Sequence, residues 1–288
     1  MGSLYVVATP IGNLDDISTR AKSTLKKVDA ILCEDTRRTL KLLNSIGIKN
    51  NLISLNKDNE VNKIPAILKS IESKDYAIVS DSGTPGISDP GNKLIKEILE
   101  NNQKVIPIPG PSAVTAAYSA SGMKHHDFLF YGFPPRKKKD LQLELHNLKK
   151  IRKDLIFFES PNRVENFLNE ASNIFKKSNI VIFRELTKIH EEILLWKPKL
   201  EPPVLKKVKG EFVIIIEREL SAPHNKTQHF NDEDVVSKLQ EFIDLGFSGR
   251  DAIENTSQYL GLGHKKIYNI YVEKVLKKKS KFELERET

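Results

Sequence analysis

The chain has 288 residues, of which 39% are hydrophobic and 29% charged, a composition that can bury a core and excludes a wholly disordered protein. No apolar run approaches the roughly 20 residues that span a membrane, and the single cysteine, Cys33, excludes an intramolecular disulfide framework. The formal net charge of +8 suits a polyanionic partner, although a solvated lysine-rich surface would carry the same charge.

The first part of the chain alternates apolar strands with amphipathic helices. It begins directly with a strand, so we expect no signal peptide and a cytoplasmic location. Strands are predicted at 4–8, 30–33, 52–55, 76–79 and 105–108. Helices are predicted at 19–28, from the end of the 34–38 segment to about residue 46, at 61–73 and at 93–99. A further helix follows Ser112, which we expect to cap it. This alternation predicts a mostly parallel sheet covered by helices.

The pattern starts again after residues 121–126, which predicts a second α/β domain. Its strands are expected at 128–133, 155–158, 180–183 and 211–217, a helix at Ser160 and Pro161, and a loop at 197–209. We therefore divide the chain into an N-terminal α/β domain at 1–122, a C-terminal α/β domain at 123–220 and, after a linker at 221–226, a helical module at 230–279.

The helical module contains three predicted helices. Apolar residues at helical spacing give the first, which ends at Gly246, and the second, which Ser248 and Asp251 begin as a capping pair. The third follows a glycine turn and carries Lys265 and Lys266 away from its apolar face. The module resembles a helix-turn-helix that contacts nucleic acid; the alternative is a three-helix bundle whose charged face meets only water.

Lysine and arginine are concentrated in four short clusters. They lie at 136–139, 149–153, 206–209 and 277–279. Such clusters suit a nucleic acid, because each phosphate contact releases counterions. A solvated surface explains them equally well.

The loop at 80–91 is the most informative segment. It joins the strand at 76–79 to the helix at 93–99, at the carboxyl end of the predicted sheet, where open α/β sheets bind ligands. Gly83 and Gly86 allow the backbone to approach a ligand closely. A plain turn is the alternative, but an unbroken series of small residues, prolines and acids favours a ligand loop.

Several common site motifs do not occur in the sequence. The first loop lacks GxGxxG, and no GxxxxGK[ST], GxSxG or HExxH motif is present. His125, His126 and His190 have no cysteine or carboxylate at metal spacing, so we expect no metal site. Polar clusters at 34–37, 159–160 and 184–188 follow strands, and their convergence with the 80–91 loop would form an active cleft.

These segments occur in the order of a known family. The matching segments are 9–14 (TPIGNL), 34–37 (EDTR), 80–91, 109–113 (PGPSA), 132–137 (GFPPRK), 158–161 (FESP), 185–188 (ELTK) and 209–213 (KGEFV). Through nearly its whole length the chain resembles the tetrapyrrole methylase superfamily, and within it the methyltransferase I branch that acts on small-subunit ribosomal RNA at a ribose 2′-hydroxyl.

The resemblance implies two α/β domains of the tetrapyrrole methylase type with a cleft between them, plus the helical module. It implies S-adenosyl-L-methionine as methyl donor, with cofactor contacts at Pro10, Gly83, Thr84, Ile87, Ser112 and Ala113. The implied substrate is a cytidine in the decoding region of 16S ribosomal RNA, as naked RNA or in the assembled small subunit, and a homodimer is expected. We assign RNA binding to Arg37, Arg136, Lys137, Lys138, Lys265 and Lys266.

Methylation of a hydroxyl benefits from a base or from a positive group that stabilises the developing alkoxide. Our first candidate is Lys188 held near Glu185, with Asp35 and Glu159 as rival bases and Arg184 as a further phosphate ligand.

The sequence departs from the family pattern at four positions, namely Ser82, Gly86, Pro134 and Asn162. Asn162, where histidine is usual, argues against a general base at that position. Two alternatives stay open. One is a porphyrin or corrin carbon methylase, whose usual GxGPGD first loop is missing here, and the other is a non-catalytic RNA-binding relative.

Overall fold

Two five-stranded sheets precede a set of C-terminal helices in the structure, a computed structural model. The structure describes residues 2–198, 209–219, 230–260 and 262–276. Internal contacts divide the chain into Met1–Glu219, which contains both sheets, and Leu220–Thr288, which contains the C-terminal helices. The further division of the first unit at residue 122 stays a prediction, and the linker at 221–226 lies outside the described residues.

The first sheet is entirely parallel, in the order β3-β2-β4-β1-β5. Its strands are β1 Ser3–Val7, β2 Ala30–Cys33, β3 Leu52–Ser54, β4 Tyr76–Val79 and β5 Lys104–Ile108, and its helices are α1 Thr19–Lys27, α2 Thr36–Ser45, α3 Glu60–Ser70 and α4 Asn92–Glu100. Every residue of β2 and β4 is buried, as expected of parallel strands covered on both faces. The predicted elements of this half are confirmed, with ends that differ by a few residues.

The second sheet is mixed, in the order β6-β7-β10-β8-β9. Its strands are β6 Phe128–Gly132, β7 Asp154–Glu159, β8 Ile180–Arg184, β9 Glu192–Trp196 and β10 Phe212–Ile216, and the helices of this half are α5 Ala113–Ala120, α6 Lys138–Lys149 and α7 Pro161–Ile174. β6 and β7 are parallel, whereas β10 runs antiparallel to both β7 and β8. β9 pairs antiparallel with β8 and was not predicted.

Large aromatic side chains fill the second sheet's core. Phe157, Phe167, Phe183 and Phe212 are almost completely inaccessible to solvent, and the rings of Phe157 and Phe167 lie 5.0 Å apart. Truncating such a residue to alanine costs about 3–5 kcal/mol. This packing holds the strands in place and so fixes the positions of the loops at their ends.

Two serines begin helices without capping them through their side chains. Ser112 precedes α5 and Ser160 precedes α7, and neither side chain makes the capping hydrogen bond. The prediction that Ser112 caps its helix is therefore wrong. α7 does begin at Pro161, because proline suits the first helical position.

The part of the second unit that the structure describes contains three helices packed around a common apolar core. They are α8 Asp232–Asp244, α9 Gly249–Leu260 and α10 His264–Ile270, and α10 continues as a π-helical turn at Tyr271–Leu276. Ser248 accepts from the Asp251 N–H at 3.2 Å and donates to its carboxylate at 2.6 Å, so the predicted pair does begin α9. The cluster at 277–279, like residues 206–208, lies outside the described residues.

Candidate active site

A cavity of about 310 Å³ lies between loops of the two sheets, within the range of about 300–1,000 Å³ that small-molecule sites occupy. Loops at the carboxyl ends of β1, β4 and β5 form one side, which includes Ile11, Gly83, Thr84, Ile87, Ser112 and Ala113. The other side is formed where β6 and β7 end and β10 begins, and it includes Phe133, Phe158, Glu159, Ser160, Glu211 and Phe212. Of the segments predicted to converge, 80–91 and 159–160 both line the cavity, whereas no residue of 34–37 or 184–188 does.

Backbone hydrogen bonds fix the loop at 80–91. Thr9 and Gly83 form an isolated bridge, with N···O distances of 2.8 and 3.1 Å. Gly83 has a φ of +82°, and a Cβ added there would lie 3.2 Å from Cγ2 of Ile11, so the turn requires glycine. The Thr84 hydroxyl donates to the Pro111 carbonyl at 3.0 Å. The three loops of the first sheet therefore form one connected wall.

Five of the six predicted cofactor residues line the cavity. They are Gly83, Thr84, Ile87, Ser112 and Ala113. Pro10 is not part of the lining, although it stands between the bridged Thr9 and the lining residue Ile11. Because Ser112 does not cap α5, its hydroxyl can serve a ligand instead.

Asp89 is a cavity residue that the sequence analysis did not single out. Its pKa is raised to about 6, mainly by burial and then by the nearby carboxylates of Glu34 and Asp81, while a hydrogen bond with Ser80 and the charge of Lys57 oppose the rise. A carboxylate with a raised pKa in a cleft is a common feature of acid–base sites. The sequence signal, an acid within a Gly- and Pro-rich loop, was present but could not reveal these neighbours.

Glu159 is the one predicted catalytic residue among the described residues that line the cavity. It is buried, and both carboxylate oxygens are engaged by Arg163, with Nε···Oε1 2.7 Å and NH2···Oε2 2.8 Å. Arg163 also donates to the Pro134 carbonyl at 3.3 Å. The pair thus ties α7 to the loop that follows β6.

Lys188 and Glu185 lie in a neighbouring loop, outside the cavity lining. The Lys188 ammonium contacts Glu185 at 2.8 Å and Glu211 at 3.0 Å, and Glu211 itself lines the cavity. A Cβ added to Gly12 would collide with the stem of Lys188, so the first-sheet loop packs directly on this side chain. Glu185 and Thr187 have φ values of +53° and +63°, a strain of about 1–2 kcal/mol each.

Ion pairing keeps Lys188 charged. Burial lowers its pKa, but hydrogen bonds to Glu185 and Glu211 outweigh that effect and raise it overall. For Glu185, burial raises the pKa, whereas the Lys188 hydrogen bond and the Glu211 N–H lower it below the ordinary value. Lys188 is therefore an ammonium at neutral pH and can stabilise negative charge rather than take up a proton.

Asp35 begins α2, away from the cavity lining. It accepts from the Arg37 N–H at 2.9 Å and pairs with the Arg37 guanidinium at 2.8 Å. The Arg37 side-chain hydrogen bond, followed by the backbone one, holds the pKa of Asp35 well below its ordinary value. A carboxylate of this kind is a weak base.

The predicted RNA-binding residues are mostly exposed. Arg136 and Lys137 follow β6 near the cavity, and Lys265 and Lys266 lie on the exposed face of α10 in the second unit. Lys138 pairs at 2.9 Å with the buried Glu170, which reduces its freedom to contact RNA.

Arg184 is nearly buried at the end of β8. Its Nε donates to the Lys209 carbonyl at 2.8 Å and its NH1 to Glu192 at 3.4 Å. It therefore holds neighbouring chain segments together rather than standing open to a phosphate.

Within the described residues, no group of three histidine, cysteine or acidic side chains is placed to hold a metal ion. In the same part of the chain, no helix has the length and apolar character needed to cross a membrane.

Comparison with known proteins identifies the family of the chain. The family of Tetrapyrrole (Corrin/Porphyrin) Methylases matches residues 3–200. The chain is 39% identical over 275 residues to Ribosomal RNA small subunit methyltransferase I of Halalkalibacterium halodurans, with 94% of each chain covered. It is 46% identical over 198 residues to the protein of that name from Thermotoga maritima, which covers 68% of this chain and 89% of the relative.

The solved structure of the methyltransferase CobJ shares the fold, with a TM-score of 0.56 at 17% identity over 76% of this chain and 95% of that one. The chain belongs to the tetrapyrrole methylase family, among the relatives named ribosomal RNA small subunit methyltransferase I.

Proposed function

We propose that the protein transfers a methyl group from S-adenosylmethionine to the 2′-hydroxyl of a cytidine in the decoding region of small-subunit ribosomal RNA. The observation that carries this proposal is the similarity over 94% of both chains to a relative named for methylation of that RNA. The 2′-hydroxyl and the cytidine come from the motif resemblance described above.

The cavity suits the cofactor that the family membership implies. Its first-sheet side offers the backbone of a glycine-containing loop and the Ser112 hydroxyl rather than lysine or arginine side chains. Such neutral donors and acceptors suit a zwitterion with a cationic sulfur, because they add no like charge beside it. When bound, the cofactor supplies an already activated methyl group, so the protein's task is to align the acceptor hydroxyl.

Lys188 is proposed to stabilise the developing alkoxide. It stays protonated through its contacts with Glu185 and Glu211, and Glu211 borders the cavity. A fixed ammonium of this kind lowers the energy of negative charge on the ribose oxygen without accepting a proton.

The proton of the ribose hydroxyl needs an acceptor. Asp35 has a lowered pKa, and Glu159 is engaged on both oxygens by Arg163. Asp89, with a pKa of about 6 in the cavity, is ionised at neutral pH and is a stronger base than an ordinary carboxylate. We therefore place Asp89 ahead of Asp35 and Glu159 as the proposed base.

The test is methylation of small ribosomal subunits from cells that lack the modification, with tritiated S-adenosylmethionine and digestion of the RNA to nucleosides. Label in 2′-O-methylcytidine is expected for the wild type. The rate should fall in Asp89→Asn and stay unchanged in the matched control Asp58→Asn, whose exposed carboxylate lies outside the cavity lining. Label in a different nucleoside would contradict the proposed acceptor.

The same assay separates the two alternatives. Label in an added porphyrinogen or corrin precursor, with none in RNA, would favour a tetrapyrrole carbon methylase. Failure to bind S-adenosylmethionine by calorimetry would favour a non-catalytic RNA-binding relative. Parallel reactions on naked ribosomal RNA and on assembled subunits identify the form of substrate used.

The second unit is proposed to add affinity for RNA. α10 buries Ile267 and Ile270 and exposes Lys265 and Lys266. Its apolar face therefore packs in the core of the second unit, and its two lysines remain accessible to solvent. Together with the net charge of +8, this favours contact with phosphates.

We also propose that the protein is a homodimer acting in the cytoplasm. The edge strand β9 exposes Ile193 and Leu195, which are 47% and 66% accessible, and Ile189 just before it is 98% accessible. Apolar side chains on an edge strand favour pairing with a second chain. Light scattering should give twice the 32.7 kDa mass of the chain and the single mass for Ile193→Lys with Leu195→Glu. A monomeric wild type would contradict the dimer.

A further inference from the structure

Phe133 is an exposed aromatic residue that borders the cavity. It is 57% exposed, although its chain neighbours Gly132 and Pro134 are both buried. Its side chain lines the cavity on the second-sheet side. A ligand that covered the exposed part of the ring would gain about 25 cal/mol for each Å² of apolar surface removed from water.

The surrounding residues hold Phe133 in place. Its ring packs edge-on against Phe158, with centroids 5.7 Å apart and an interplanar angle of 64°. Gly132 has a φ of +82°, and a Cβ there would approach the Ser88 hydroxyl at 3.0 Å, so the turn before Phe133 depends on glycine. On the other side, Arg163 donates to the Pro134 carbonyl. Phe133 is thus presented by an anchored turn.

The chemistry around the ring fits a nucleic-acid strand. Arg136 and Lys137 follow within the same loop, and both are exposed. An aromatic platform beside exposed cations is the combination that binds unpaired nucleotides, because the base stacks while the cations meet the backbone phosphates. The proposed cofactor contacts, by contrast, come from the first-sheet loops.

We propose that Phe133 is the platform on which the base of an unpaired RNA nucleotide stacks, so that the ribose of the target enters the cavity in a fixed orientation. This inference rests on the proposed RNA methylation. It adds a residue that positions and selects the substrate: Phe133 contacts the base and takes no part in the transfer itself.

Four variants test the proposal. Phe133→Ala removes the ring, Phe133→Leu keeps an apolar side chain without a π-face, and Phe133→Trp keeps a stacking surface. Leu143→Ala is the matched control, because Leu143 is 65% exposed on α6 outside the cavity lining.

We expect kcat/KM for small ribosomal subunits to fall about 5- to 150-fold in the alanine variant, the range that corresponds to loss of one stacked base. The leucine variant should show a loss of the same order, whereas the tryptophan variant and the control stay close to wild type. The calorimetric Kd for S-adenosylmethionine should change less than about twofold in all four.

The fluorescence of Phe133→Trp distinguishes stacking from a purely structural role, because a structural role predicts no change in tryptophan emission when RNA is added. The single native tryptophan, Trp196, is buried, so emission from an exposed ring at position 133 can be followed by difference. An unpaired oligoribonucleotide should quench this emission, and S-adenosylmethionine alone should not.

Three results would overturn the inference. A leucine variant as active as wild type would show that Phe133 contributes only an apolar contact and no base stacking. A weakened Kd for S-adenosylmethionine with unchanged RNA kinetics would assign the ring to the cofactor. Absence of quenching by the oligoribonucleotide would exclude stacking. If the wild type fails to methylate RNA although the oligoribonucleotide quenches the tryptophan variant, the proposed reaction fails while the stacking platform stands.

Discussion

Replacing Asp89 by asparagine should make the cofactor-free protein more stable at neutral pH and less active. The folded state raises the pKa of this carboxyl from an ordinary 3.8 to about 6, mainly through burial and then through Glu34 and Asp81. At 1.36 kcal/mol per pH unit this difference corresponds to about 3 kcal/mol. Because the side chain is only half buried, water screens part of it, and we expect roughly 1–2 kcal/mol.

The sign follows from proton binding. Between about pH 4 and pH 6 the folded protein holds a proton on Asp89 that the unfolded chain has released, so the free energy of unfolding falls as the pH rises through this window. Above about pH 6 the full cost of a buried charge is present. Asparagine carries no such cost, so the advantage of the variant should grow from near zero at pH 4 to its full value at pH 7.

Urea unfolding of the wild type and Asp89→Asn at half-unit steps from pH 4 to pH 8 measures this difference directly. Subtracting the two curves removes the titration of groups that both proteins share, and Asp58→Asn controls for loss of an exposed carboxylate. Two curves that run parallel across the whole range would refute the argument, because Asp89 would then have the same pKa in both states. A gain in stability with unchanged methylation would keep the electrostatic argument and remove Asp89 as the base.

Three further predictions concern Lys188, the Gly83 turn and the lysines of the second unit. Lys188→Met should slow single-turnover methylation by roughly 100- to 1,000-fold with RNA binding intact; an unchanged rate would remove its proposed role. Gly83→Ala forces a side chain into a φ of +82° beside Ile11, so calorimetry should show the Kd for S-adenosylmethionine weakened about tenfold or more, and tight binding would contradict the required turn. Changing both Lys265 and Lys266 to alanine should weaken RNA binding and reduce the salt dependence of log K by roughly 1.5–2, which filter binding at several salt concentrations can measure.

The sequence was most informative where local pattern and tertiary environment agree. β2 and β4 are short apolar runs between amphipathic helices, and burial on both faces is what such runs predict. β9 was missed because its apolar residues lie on both faces, with Ile193 and Leu195 exposed, so neither alternation nor a buried run marks it. The direction of β10 relative to its neighbours depends on long-range pairing that no local pattern specifies.

Some residues of the candidate site could likewise be predicted from the sequence, and others could not. The loop containing Gly83 could be predicted, because glycine and proline impose backbone conformations that are visible in the sequence. Asp89 and Phe133 were missed because their properties arise from neighbours distant in the chain, Glu34 for the first and Phe158 for the second. The protonated state of Lys188 likewise depends on Glu211, which only the fold brings within 3.0 Å.

The length of one relative bears on which unit carries out methyl transfer and which unit adds affinity for RNA. The 198 residues aligned with the Thermotoga maritima protein make up 89% of that relative, so its whole chain is about as long as Met1–Glu219 here. It has the same name as the relative from Halalkalibacterium halodurans, although its chain is shorter than this one by about the number of residues in Leu220–Thr288. The described residues that line the cavity all belong to Met1–Glu219 as well. The C-terminal helices should therefore change KM and salt dependence, whereas the rate of the methyl-transfer step should depend on the first unit alone.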